Sequence, residues 1–356
     1  TLPFLNDKRL VIVRNSAFFQ KGGRKEEGEK LKAFLSNLPE TVCLLFIEEK
    51  VEKNNALYKA VVKNGQAVEF KKQAEKYDIK NTDKETLQKW FYLMTLGRAL
   101  DEKAPAYLLQ SLGWSYHAPY AGHDGIQLAV GQVFKKGEDF LFPYYRDMLT
   151  VLSAGMTPEE IILNGISKAT DLTGGGRHMS NHFAKTEWNI ENISSATGTH
   201  DLHAAGVGRA MVYYGHKGVA ITSHGESATS EGFVYEAING ASTERLPVIF
   251  VIQDNGYGIS VPKEDQTANR KVADNFSGFK NLKIIHCNGK DVFDSMNAMT
   301  EAKEYALNRT PVIVQANCVR IGSHSNSDKH TLYRDENELN YVKAADPLYK
   351  FRRMLL

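Results

Sequence analysis

Short apolar runs alternate with amphipathic segments along the chain, and the alternation has two textures. In the first seventy residues "RLVIV" and "CLLFI" read as short buried strands, and "EEGEKLKAFLSNL" between them has helical apolar spacing up to Pro39. "ALYKAVVKNG" predicts another helix, closed by Gly65. Farther on, Thr82 and Glu85 stand at capping-box spacing, and the helix they open carries Leu87, Trp90, Phe91, Met94 and Leu96 toward a core. Beyond it "GVAIT", "PVIFVIQ", "LKIIH" and "PVIVQA" are continuous apolar runs separated by helical stretches. That pattern predicts an α/β fold in which a parallel sheet is flanked by helices, preceded by a small α/β fragment. Loops past the carboxyl ends of such strands are where a ligand is expected. The change of texture falls in the lysine-rich stretch between residues 70 and 80, which predicts units over residues 1–72 and 73–356.

Composition adds limits rather than a function. With 356 residues, 42% hydrophobic, 24% charged and a net charge of +2, the chain reads as globular. It is neither a disordered segment nor a strongly basic nucleic-acid surface. The basic stretch "KGGRKEEGEK" is interleaved with glutamates, as on a solvated helix face. Cys43, Cys287 and Cys318 lie far apart without CxxC spacing, so neither a disulfide framework nor a zinc site is expected, and a reducing, cytoplasmic setting is favoured. No apolar run approaches the roughly 20 residues of a membrane helix, and the opening residues lack a secretory pattern. All eleven histidines fall after residue 116, which directs the search for chemistry to the second unit.

There, "GVAITSHGESATSEGFVYEAINGASTERLPVIFVIQDNGYGIS" frames a helix with two strands and gathers polar residues at both strand ends. Gly225, Glu226 and Ser227 follow the first strand; Asp254, Asn255, Gly256 and Tyr257 follow the second. If the strands are adjacent and parallel, Glu226 and Asn255 share one edge, where a carboxylate and an amide oxygen suit a hard divalent cation. The small residues Ser227 to Ser230 would let backbone amides approach an anion at the start of the helix. Dinucleotide, Walker and nucleophile-elbow patterns are absent from this segment. Taken alone, the segment is equally compatible with a strand-to-helix turn that holds no ligand.

"GESATSEG" followed by "QDNGYGIS" resembles the thiamin diphosphate motif in the alpha half of the decarboxylating component of 2-oxo acid dehydrogenase complexes, of the branched-chain or pyruvate type. The resemblance runs from about residue 78 to the end and implies a thiamin diphosphate-binding fold. It implies that Glu226, Asn255 and the backbone carbonyl of Tyr257 ligate Mg²⁺, and that Gly225 and Ser227 belong to the cofactor turn. Two departures are Ser227 for the second glycine and Asp254 for the first asparagine. "FPYYRDMLTVLSAGM" is similar to the segment whose Tyr145 and Arg146 meet the diphosphate. "GGGRHMSNHF" implies His178 as a catalytic histidine, with His182 beside it, and "ISSATGTHDLHAAGVGRA" implies Ser195 and Thr197 as cofactor contacts. The pair His200 and His203 lacks a third metal ligand and reads as packed or polar. "CVRIGSHSNSDKHTLYRD" implies His324 as catalytic and cofactor-contacting, Arg320 as phosphate-contacting and Ser325 at the position of a regulatory serine.

The activity implied is oxidative decarboxylation of a small 2-oxo acid with acyl transfer to a lipoyl group. Implied partners are a beta half, in an α2β2 heterotetramer, and a lipoyl-bearing acyltransferase; no membrane or nucleic-acid partner is implied. The chain is expected to stop before its alpha half is complete and to be inactive without a beta half. "LPFLNDKRLVIVRNSAFF" and "LSNLPETVCLLFIEEKVEKNNALYKAVVKNGQAVEF" resemble a fragment of the delta subunit of the DNA polymerase clamp loader, over residues 1 to about 70. Two alternatives therefore stay open: an interaction protein of clamp-loader type acting through that fragment, or a non-functional composite of two pieces.

Overall fold

Two units, Thr1–Ala74 and Glu75–Leu356, divide the chain, the first around one apolar core and the second around two main ones. The computed structural model describes residues 9–20, 25–39, 41–48, 51–67 and 76–356. The opening residues and part of the polar stretch predicted to hold the boundary lie outside the described residues.

In the first unit β1 (Arg9–Arg14), α1 (Lys25–Leu35), β2 (Val42–Ile47) and α2 (Ala56–Asn64) follow one another, with β1 and β2 paired in parallel. β2 alternates half-buried Val42, Leu44 and Phe46 with exposed Cys43, Leu45 and Ile47, as one face of a pleated strand requires. The buried side rests on Phe19, Leu35 and Leu57, and the Phe19 and Phe46 rings meet edge-on at 5.2 Å. α1 ends at Leu35, short of the predicted Pro39, where Asn37 N–H turns back to the Phe34 carbonyl. α2 starts at Asn55, whose side chain accepts from the amides of Leu57 and Tyr58. Gly65 closes that helix in extended backbone (φ −162°) rather than in a left-handed cap.

The second unit runs α3 (Lys84–Leu109), α4 (Asp124–Val133), β3 (Phe140–Phe142), α5 (Met148–Ser153), α6 (Pro158–Gly165), α7 (Thr199–Tyr214), β4 (Ala220–Gly225), α8 (Gly232–Glu244) and β5 (Val248–Asp254). It continues through a small hairpin of β6 (Tyr257–Gly258) and β7 (Val261–Pro262), then α9 (Lys263–Gln266), β8 (Lys283–Cys287), α10 (Val292–Leu307), β9 (Val312–Asn317), α11 (Glu336–Ala344) and α12 (Pro347–Leu355). Five strands form one parallel sheet in the order β3-β4-β5-β9-β8. All seven residues of β5 are buried, because both of its faces are covered. Ile249 and Val251 face the core shared with α3, α4, α5 and α10, whereas Val248, Phe250 and Ile252 face the one shared with α7 and α8. The two-residue period of a strand thus feeds two separate cores.

Two sequence expectations need correction here. α3 is capped by Asp83, whose carboxylate accepts from the Thr86 amide at 2.9 Å, one residue after the predicted Thr82; Thr82 itself is buried. Ser227 to Ser230 form a 3₁₀ turn (Glu226–Ser230) rather than the first turn of α8, which begins at Gly232. The Thr229 hydroxyl donates to the Glu226 carbonyl at 2.6 Å and closes that turn, competing with helix pairing.

α4 carries eight buried residues in a row, Asp124 to Gly131, and its small ones let neighbours come close. A Cβ at Gly131 would collide with the Thr150 carbonyl of α5, and one at Gly122, just before the helix and at φ +104°, would collide with the Val319 carbonyl. α4 begins against a buried ion knot: Arg98 of α3 forks onto Asp124 (2.8 and 3.0 Å) and also reaches Asp346, the cap of α12 (2.7 Å). Arg98→Ala leaves two buried carboxylates without their cation, and chemical denaturation should show a loss of about 3–5 kcal/mol; a loss below about 1 kcal/mol would show that the knot is not structural.

Candidate functional site

β4 and β5 are neighbours with Gly225 opposite Gln253, so the segments leaving their carboxyl ends, Glu226 onward and Asn255 onward, emerge side by side. A cavity of about 320 Å³ opens there. Of the twelve residues singled out from the sequence, ten line it: Tyr145, Arg146, Ser195, Thr197, Gly225, Glu226, Ser227, Asn255, Tyr257 and His324. His178 and Arg320 do not.

The Asn255 amide donates to Glu226 Oε2 at 3.1 Å, which closes the two turns on each other. Glu226 Oε1 and Asn255 Oδ1 remain buried and without a hydrogen-bond partner, an expensive condition for acceptors unless something positive meets them. Burial, followed by the negative charge of Asp254, pushes the Glu226 carboxyl up to about 7, with Lys263 partly offsetting the effect. Asp254 is itself held by the Lys263 ammonium (2.7 Å) and the Gln315 amide (2.7 Å). Gln266 donates to the Ser227 carbonyl at 2.6 Å and pins the turn, while the Ser227 hydroxyl is buried and unpartnered.

On the opposite wall Arg146, almost wholly buried, donates to the carbonyls of Pro119 (2.7 Å) and His324 (3.2 Å). Its Nη2 also lies 3.3 Å from His324 Nδ1. Arginine can only donate, so Nδ1 accepts and the proton of a neutral His324 resides on Nε2. Burial, then the charges of Arg146 and Arg320, hold the imidazole down to about 3, so it is uncharged at neutral pH. Arg320, fully buried, donates to the carbonyl of Ile259 (2.8 Å) and to the Tyr333 hydroxyl (2.6 Å), and its Nε and Nη1 have no partner. Asp328 accepts from the Tyr333 hydroxyl and from the His324 amide, fixing the histidine loop.

Beneath the cavity lies a network that the sequence did not reveal. Asp147 is fully buried and accepts from the Ser223 hydroxyl, the Thr150 hydroxyl (3.0 Å), the Tyr144 amide (3.1 Å) and Gln253 Nε2 (2.6 Å). Gln253 Oε1 in turn receives Gln127 Nε2 (3.0 Å) and His123 Nδ1 (2.9 Å). His123 is fully buried, and burial, then Arg146, hold it down to about 3, hence neutral. A polar glutamine inside an apolar strand and a histidine opening an apolar helix were the available signals.

His178 stacks on His182 with ring centres 4.7 Å apart and reaches the Ile193 carbonyl at 3.2 Å. His182 accepts from Ser195 at Nε2 (2.9 Å), since its Nδ1 faces the Ser180 carbonyl. His200 is packed against the Ser223 carbonyl (2.7 Å). His224 pairs with Asp201 at 3.0 Å; burial opposes a charge on the imidazole, but Asp201 outweighs it and raises His224. Ser325 is buried and meets the Ser327 hydroxyl at 3.1 Å.

The model of the family "Dehydrogenase E1 component" matches residues 92–356, and that of "DNA polymerase III, delta subunit" matches residues 1–71. The chain is 31% identical over 279 residues to the 2-oxoisovalerate dehydrogenase subunit alpha of Bacillus subtilis, covering 77% of this chain and 82% of that protein. It is 29% identical to the 3-methyl-2-oxobutanoate dehydrogenase subunit alpha of Mycobacterium tuberculosis, over 79% of this chain and 74% of that one. With the mitochondrial 2-oxoisovalerate dehydrogenase subunit alpha of Caenorhabditis elegans the identity is 31%, and the match spans 77% of this chain but only 63% of the relative's length.

The floor network has a measurable pH signature. Burial lifts Asp147 to about 6 despite four donors, so the folded state holds its proton more tightly than the unfolded chain does. The contribution of this group to stability is therefore fully present below pH 4 and is lost as pH rises through about 6, by up to about 3 kcal/mol. Asp147→Asn removes the titration: the stability difference between wild type and variant should shrink from pH 4 to pH 7 in denaturant unfolding. A difference independent of pH would overturn this assignment.

Proposed function

Because this chain belongs to the dehydrogenase E1 component family, we propose that its second unit is the alpha part of a 2-oxo acid dehydrogenase and binds thiamin diphosphate through Mg²⁺ at the carboxyl ends of β4 and β5. The observation that carries this reading is the pair of buried acceptors without partners, Glu226 Oε1 and Asn255 Oδ1, facing one cavity. Together with the Tyr257 carbonyl they make a hard-oxygen donor set for Mg²⁺. Among the described residues there is no group of three or more His, Cys, Asp or Glu side chains placed to hold a metal, so an ion here depends on such mixed oxygen donors.

The diphosphate side is equally provided for. Arg320 lies behind the lining rather than on it, but its Nε and Nη1 are buried donors without acceptors, and the Ser227 hydroxyl, on the lining, is a third such donor. Tyr145 and Arg146 stand on the wall, and Gly225, Ser195 and Thr197 also belong to the lining. The chemistry that thiamin diphosphate supplies when bound is the carbon nucleophile and electron sink that a 2-oxo acid needs to lose carbon dioxide. This chain's part is to bind, to exclude water and to place protons. His324, uncharged and with its proton on Nε2, offers a donor to a substrate carboxylate or carbonyl without adding a cation. Arg146 fixes that tautomer. His178, outside the lining, acts through His182 and Ser195 rather than directly.

Substrate and partners belong to the same reading. The names of the relatives point to branched 2-oxo acids. A beta half completes the site, in an α2β2 assembly, and a lipoyl-bearing acyltransferase receives the acyl group. A cytoplasmic setting, favoured by the scattered, unpaired cysteines, belongs to the same reading; separately, among the described residues no helix is long and apolar enough to cross a membrane. Residues 1–71, which match the DNA polymerase III delta subunit family, receive no step in this chemistry.

Calorimetric titration of the purified chain with thiamin diphosphate should show binding that requires Mg²⁺ and disappears in Glu226→Ala. Arg320→Met, which removes two buried donors, should weaken the cofactor by about tenfold or more. Binding that is indifferent to Mg²⁺ and to Glu226 would sink the reading.

A further inference from the structure

The oxygen of Asn255 can serve a cation only if its carboxamide is turned the right way, and no bond made by that oxygen within the chain enforces the choice. The other half of the amide carries the information. Asn255 Nδ2 lies 3.4 Å from His123 Nε2, and His123 Nδ1 lies 2.9 Å from Gln253 Oε1.

The direction of each bond is set from outside. Ionised Asp147 has no proton to give and can only accept, so its contact with Gln253 places the Gln253 NH₂ toward Asp147. Gln253 Oε1 therefore faces His123. A second anchor agrees: the Leu149 amide can only donate, so it fixes Gln127 Oε1 and turns Gln127 Nε2 onto Gln253 Oε1 at 3.0 Å. With an acceptor opposite Nδ1, the proton of a neutral His123 must sit on Nδ1, and Nε2 can only accept. Asn255 then has one orientation left, nitrogen toward His123 and oxygen toward the cavity.

We propose that His123 is a positioning residue for the cation site: with Gln253 and Asp147 it forms a one-way hydrogen-bond relay that turns the Asn255 carboxamide oxygen toward a divalent cation. The inference rests on the cation reading given above. It deepens that reading by naming what orients the neutral ligand. Outer-shell partners of this kind orient metal ligands, and their loss typically weakens metal binding by roughly 10–100-fold.

Two measurements on the full chain separate the relay from the site it serves. In the first, Mg²⁺ is titrated calorimetrically into wild type, His123→Leu and His123→Gln, each with thiamin diphosphate present. His123→Leu should weaken Mg²⁺ roughly 10–100-fold. His123→Gln, which can present a donor to Gln253 and an acceptor to Asn255, should restore affinity; equal loss in both variants, or none in His123→Leu, overturns the relay. In the second, nitrogen-15 histidine spectra of metal-free protein should show one residue, missing in His123→Gln, protonated at Nδ1 and bare at Nε2. A proton on Nε2 overturns the relay whatever the metal does. Absence of Mg²⁺ binding in wild type, with the expected tautomer, overturns the cation reading instead.

Discussion

Asp147 is the constraint on which the second unit is organised. A carboxylate without access to water is tolerable only if donors surround it, and here they arrive from β4 (Ser223), β5 (Gln253), α5 (Thr150) and the backbone of Tyr144. Satisfying that one group locks the ends of the two central strands and the helix after β3 into a common frame. The cavity above inherits its shape from the frame: Glu226 lies one residue past the end of β4 and Asn255 one past the end of β5. Arg146, the residue before Asp147, is carried to the opposite wall, where it meets His324.

Apolar patterning exposed the sheet because its strands are covered on both faces and so are written as unbroken hydrophobic runs. β5 is the extreme case, and β4 and β9 follow it, whereas β8 at the sheet edge leaves His286 exposed. β3 escaped notice because three residues carry no periodicity, and α4 because a helix buried all round has no polar stripe to reveal it. The expected turn of Ser227 to Ser230 was found, but as a 3₁₀ turn, since a threonine hydroxyl there prefers the Glu226 carbonyl to helix pairing. Glu226 and Asn255 were legible from their positions after two strands. His123, Gln253 and Asp147 were not, because the hydrogen bonds that join residues 123, 147, 253 and 255 come from spatial packing that linear spacing does not encode.

The Glu226 and Asn255 acceptors and the histidine wall differ in how they meet the cost of burial. Glu226 and Asn255 keep acceptors in reserve, a condition that favours a ligand and disfavours the empty pocket. His324 and His123 instead shed their charge and retain a fixed tautomer, so the same low-dielectric setting that penalises Glu226 makes the imidazoles specific hydrogen-bonding groups. A small cavity with both kinds of group can attract a cation and an anion together without filling with fixed charge of its own.

The Arg98 knot also bears on how the molecule opens. Asp346 caps α12 while Asp124 opens α4, and one guanidinium serves both, so α12 cannot peel away as a lone fraying terminus without stranding the charge that steadies α4. The two helices therefore form one cooperative opening unit. Since His123 immediately precedes Asp124, amide exchange in the last helix and the fidelity of the ligand-orienting relay are coupled through a single side chain some 250 residues distant in sequence from Asp346.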